Sequence, residues 1–115
     1  MEDIQPIDIK QVMEIMDDDE ELLIECFDDF VESMPESLGE IEKAIGLADA
    51  TTLSEAAHKI KGALKYLAAE TAAEVAFQIE SINKKNMFDK ASELFKKLND
   101  ECKRVKDFIA RYKAK

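Results

Sequence analysis

Residues 48–69 read ADATTLSEAAHKIKGALKYLAA, and their spacing decides the kind of chain this is. Apolar side chains recur at Leu53, Ala56 or Ala57, Ile60, Leu64 and Leu67. That three-and-four step is the stripe of an amphipathic helix. Thr52 and Glu55 match a Ser/Thr-x-x-Glu capping box at its start, with Asp49 and Thr51 as alternative caps.

The same period runs outward in both directions. Upstream, a short helix is expected after Asp8, with Ile9, Val12, Met13 and Met16 on one side. The acidic cluster from Asp17 to Glu21 suits the start of a second helix, where carboxylates meet unpaired backbone N–H groups. Its stripe is Leu23, Phe27, Phe30 and Met34; Pro35 then interrupts it and can open a third helix carrying Leu38, Ile41, Ile45 and Ala48. Downstream, Ala72, Val75, Ile79 and Ile82 mark a helix ending near residues 83–86. A last helix has Asn86 as its cap, Asp89 in its first turn, and a stripe of Ala91, Leu94, Leu98, Cys102, Val105, Ile109 and Tyr112. Phe27, Phe30, Phe77, Phe95 and the methionines are read as core filler.

Long amphipathic helices on short connections bury their stripes most economically as antiparallel neighbours. The expected fold is all-α: an antiparallel up-down four-helix bundle with one or two additional N-terminal helices. One domain is expected over residues 1–115, with residues 1–19 as a cover segment and 20–112 as the bundle. Composition agrees, since 3 Gly and 2 Pro in 115 residues leave little material for the turns of a sandwich or barrel.

Charge is divided along the chain. Residues 1–50 hold 17 acidic side chains against Lys10 and Lys43, a net of −15, whereas residues 51–115 carry a net of +5. A total of −10 argues against nucleic acid, whose phosphates need a basic surface. A local positive region on an acidic protein suggests a small anionic group or a docking patch. No apolar run approaches the roughly 18 residues of a membrane span, and the N-terminus lacks the basic start and apolar core of a signal peptide. Cys26 and Cys102 form no disulfide framework and read as reduced thiols. A cytoplasmic, monomeric protein is expected.

One helix face breaks the pattern. With Ile60 at zero on a wheel of about 100° per residue, Lys61 falls near 100°, Lys65 near 140°, His58 near 160° and Gly62 near 200°. The one histidine in the chain therefore points away from the core, among lysines. Glycine inside a helix costs roughly 1 kcal/mol relative to alanine. Its use at position 62 is clearance, which lets another molecule approach the imidazole. Lys61 and Lys65 could hold phosphate oxygens over the ring. An ordinary imidazole is largely neutral at pH 7, so it offers a lone pair without a base to deprotonate it. Phosphoryl transfer to nitrogen fits, because that reaction asks mainly for positioning and charge neutralisation.

The run Ala57-His58-Lys59-Ile60-Lys61-Gly62 resembles the Ala-His-x-Leu-Lys-Gly signature of histidine-containing phosphotransfer (HPt) domains. The likeness extends to the order of segments over most of the chain. It implies a four-helix bundle in a multistep phosphorelay, whose histidine takes phosphate from a receiver-domain aspartate and passes it to another receiver. By resemblance His58 is the phosphoacceptor, Lys61 stabilises the phosphate and Gly62 is the clearance position. Glu80 is similar in place to a polar residue that hydrogen-bonds the other ring nitrogen, with Gln78 as second choice. Lys59 and Lys65 would guide a partner's acidic surface. Implied partners are response-regulator receiver domains and a hybrid sensor histidine kinase, with Mg²⁺ held by the receiver and no cofactor or metal here. The protein would be a phosphoryl carrier, not an enzyme. Ala68 departs from the family, which often has glycine there, and puts the bend after the signature helix in question.

Two other readings stay open: a helical adaptor in which His58 is incidental, and the phosphotransfer domain of a chemotaxis-type kinase. A metal or redox bundle is disfavoured, because di-iron carboxylate bundles want two Glu-x-x-His pairs and the chain has a single histidine.

Overall fold

The computed structural model describes residues 5–82 and 87–115. The first three helices each begin on an aspartate cap. Helix α1 spans Ile9–Ile15, and the Asp8 side chain caps it by accepting from the Gln11 N–H at 3.0 Å. Helix α2 spans Glu20–Gly46 and is capped in the same way by Asp19, from the Leu22 N–H at 3.0 Å. Helix α3 spans Ala50–Tyr66; its cap is Asp49, which accepts from the Thr52 N–H at 3.1 Å and the Thr52 hydroxyl at 2.7 Å. Thr52 is thus a donor in the first turn and not the cap itself. Helix α4 spans Glu70–Glu80 and α5 spans Phe88–Lys113. The proposed Asn86 cap lies outside the described residues.

Two expectations about packing need correction. The second and third helices predicted on either side of Pro35 are one helix of 27 residues. Pro35 lies on the exposed face, while Leu23, Phe27, Phe30, Met34, Ser37, Ile41 and Ala44 form one buried stripe through it. Because both halves bury the same stripe, packing outweighs the lost hydrogen bond and ring clash. The second correction concerns Phe77, which is 49% exposed and therefore not core filler.

Helices α2 to α5 close a ring of contacts, each packing on its neighbour in sequence and α5 returning to α2. The core is built from α2's stripe, Leu53, Ala57, Ile60 and Leu64 of α3, Val75 and Ile79 of α4, and Leu98, Cys102 and Val105 of α5. Ile7, Val12 and Met16 of the N-terminal segment are also buried, and the Asp8 N–H donates to the Ala68 carbonyl at 3.1 Å. Burial pushes the Cys102 thiol up to about 12, so it stays protonated. Among the described residues no helix is long and apolar enough to cross a membrane.

The turn in question at Ala68 is fully formed. Ala68 takes φ 57°, its N–H donates to the Lys65 carbonyl at 3.0 Å, and the Ala69 N–H reaches the Leu64 carbonyl at 2.9 Å. This is a Schellman ending, with alanine where glycine is usual. Helix α2 ends identically on Ala48 at φ 50°, and α1 on Asp17 and Asp18. None of the three glycines serves a turn.

Candidate functional site

Burial of Leu53, Ala57, Ile60 and Leu64 fixes the rotation of α3 about its axis, and that rotation carries His58 outward. Its side chain is 68% exposed. The ring is nevertheless held. His58 Nδ1 lies 2.7 Å from Glu80 Oε2, across from the last turn of α4. An ionised carboxylate only accepts, so Nδ1 carries the proton and donates. The lone pair is then on Nε2, the nitrogen away from Glu80.

Glu80 is itself positioned from two sides. The Ser54 hydroxyl, one turn before His58 on α3, donates to the Glu80 carbonyl at 3.1 Å. That carbonyl belongs to the last residue of α4, so the bond both caps α4 and pins it to α3. On the side chain, Oε1 meets the Lys61 ammonium at 2.6 Å. Oε1 is shut off from solvent without an aligned hydrogen-bond donor, so Lys61 compensates it as an ion pair through proximity.

A carboxylate at a helix C-terminus runs against the macrodipole. The Glu80 carboxyl is still held below the usual carboxylate range, first by the Lys61 ammonium and also by the His58 ring, against the upward push of desolvation. Lys61 lies in addition 5.3 Å from the centre of the Phe77 ring, a cation–π contact.

The remaining predicted residues divide. A Cβ built at Gly62 would meet nothing within 4 Å, so no neighbouring helix requires the glycine. Lys65 is exposed, on the His58 side of α3 by the helical period. Lys59 is exposed too, but it turns toward Glu40 of α2 at 3.8 Å. Gln78 is exposed about 200° round α4 from Glu80, away from the imidazole.

Sequence reasoning missed Ser54 and Phe77. The α4 wheel held the signal for Phe77, which lies about 160° from Ile79 and so opposite the buried stripe. Nothing local marks Ser54, whose partner is 26 residues away.

Among the described residues, no group of three or more His, Cys, Asp or Glu side chains could hold a metal. What the arrangement offers is a fixed, solvent-facing nitrogen nucleophile with a carboxylate behind it and an ammonium within reach. The Hpt domain family model matches residues 25–108, almost three-quarters of the chain. Comparison with curated proteins and with solved structures found no match. With the ring clear of the bundle and the match running through all four of its helices, the chain belongs to the Hpt domain family: it is a histidine phosphotransfer module of two-component signalling, a phosphocarrier rather than a catalyst.

Proposed function

We propose that the chain is the histidine phosphotransfer protein of a multistep phosphorelay. It accepts a phosphoryl group on His58 from a receiver-domain aspartyl phosphate and passes it to the aspartate of another receiver. The observation that carries this reading is an exposed imidazole whose Nδ1 is committed to Glu80 at 2.7 Å. Nε2 attacks phosphorus in line; the N–P bond forms as the P–O bond to the aspartate breaks, and the aspartate leaves with the electron pair as a carboxylate. The ring becomes positive while keeping its Nδ1 proton. Glu80, already ionised and in contact, balances that charge without reorganising. Transfer to the next receiver is the reverse of these steps.

Gly62 supplies the space in which the receiver's surface approaches the ring. Lys61 neutralises the phosphoryl oxygens, and Lys59 and Lys65 steer an acidic partner. The reactive aspartate and its Mg²⁺ belong to the receiver, so this chain contributes position and charge. Residues 1–115 act as one domain in this reading.

The test is incubation of the full chain with a radiolabelled, phosphorylated receiver domain. An acid-labile, base-stable label is expected on the chain and absent from His58→Gln, whose circular dichroism matches the parent because the position is exposed. Chase with a second receiver should remove the label. A chain that receives no label from any receiver or kinase is an adaptor, and the proposal fails.

A further inference from the structure

The resting position of Lys61 is unexpected for a residue meant to hold phosphate. Its ammonium is 2.6 Å from Glu80 Oε1 and 5.3 Å from the centre of the Phe77 ring, and the side chain is only 16% exposed. It is engaged by the carboxylate whose other oxygen holds His58 Nδ1, on the side of the ring away from the nucleophilic Nε2. Two features make this a place the side chain can leave. The cation–π contact with a half-exposed ring is weak. The carboxylate also offers one charge, whereas a phosphoryl group brings about −1.5 to −2.

We propose that Lys61 has two positions: parked on Glu80 and Phe77 while His58 is bare, and drawn onto the phosphoryl oxygens once Nε2 is loaded. The face of Phe77 is capped by a cation in the empty carrier and open in the loaded one. Glu80 loses the ammonium as the imidazole ring gains positive charge, so its carboxylate keeps a cationic neighbour throughout. Phe77 is then a positioning residue with a second consequence: a receiver docking on this face meets an uncovered aromatic ring only on the loaded carrier. This inference rests on His58 being the phosphoacceptor.

The experiment loads the isotopically labelled full chain with phosphoramidate and follows it by NMR. Nε2 forms its bond to phosphorus as the P–N bond of the donor breaks and ammonia leaves with the electron pair. In the bare chain the Lys61 ε-methylene protons should be displaced upfield by the Phe77 ring current, relative to the same protons in Phe77→Leu. On appearance of the phosphohistidine ³¹P signal, most of that displacement should be lost in the parent, with little change in Phe77→Leu. Phe77 is half exposed, so the variant retains the fold. A phosphohistidine signal with Lys61 unmoved overturns the two-position inference and leaves the phosphoacceptor reading intact. Equal Lys61 shifts in the bare parent and bare Phe77→Leu overturn it as well. A chain that takes no phosphoryl group on His58 overturns both.

Discussion

At the scale of single residues, Gly62 separates a structural role from a functional one. Helical glycine costs roughly 1 kcal/mol relative to alanine, and a Cβ at position 62 would meet nothing within 4 Å. Gly62→Ala should therefore raise stability by about 0.5–1 kcal/mol in urea denaturation. Gly62→Gln should fold as well as the parent and accept phosphate from phosphoramidate, yet lose most transfer from a phosphorylated receiver. Undiminished receiver transfer by Gly62→Gln would remove the clearance role. Much of this site is legible in the sequence. A histidine about 160° from the core residue Ile60 cannot be a core histidine, and its lysine and glycine neighbours follow by counting. Glu80 enters by resemblance alone, ahead of Gln78, and only the packing of α4 on α3 brings its Oε2 to 2.7 Å from the ring.

At the scale of helices, Pro35 and the turns show local rules giving way to packing. Pro35 removes the N–H that would reach the Val31 carbonyl, and its ring crowds the preceding turn. Because it sits on the exposed face of a continuous α2, Pro35→Ala should stabilise the protein by about 1–3 kcal/mol with no loss of buried contacts. Equilibrium denaturation measures this. A destabilised variant would mean that a bend at Pro35 is needed for packing. The turns follow the same logic. Alanine in the left-handed region costs about 1–2 kcal/mol, yet Ala48 and Ala68 both adopt it. Asp49 shows why: it completes the Schellman ending of α2 with its N–H and caps α3 with its carboxylate. Those bonds, with the burial on either side, hold the chain in the strained conformation.

At the scale of the molecule, the radius of gyration is 14.5 Å, above the roughly 13 Å of a sphere-like chain this long. The elongation, with a longest extent of 45 Å, follows from α2 and α5, each rising about 40 Å. Ion pairs between helices are few among the described residues, and they are mostly exposed: Lys59 with Glu40 and Lys113 with Asp28. Such pairs contribute about 0–1 kcal/mol each. A net charge of −10, concentrated on residues 1–50, repels itself over longer distances. Salt should therefore stabilise the fold, because the screening length shrinks from about 10 Å at 0.1 M to about 3 Å at 1 M. The melting temperature is expected to rise over that range of NaCl. A fall would show that the surface ion pairs matter more than the overall repulsion.

The sequence by itself determined the helical class, the buried stripes and the outward rotation of His58, because these depend on a repeat of 3.6 residues that needs no knowledge of the neighbours. It also carried the pattern that the Hpt domain family model matches over residues 25–108. Whether Pro35 ends a helix, which carboxylate faces the imidazole, where Lys61 rests and which phenylalanine stays outside were decided by the tertiary structure. Each of these is a competition between a local preference and a contact with a residue distant in the chain. Ser54 and Glu80, 26 residues apart, become neighbours only when α4 packs on α3.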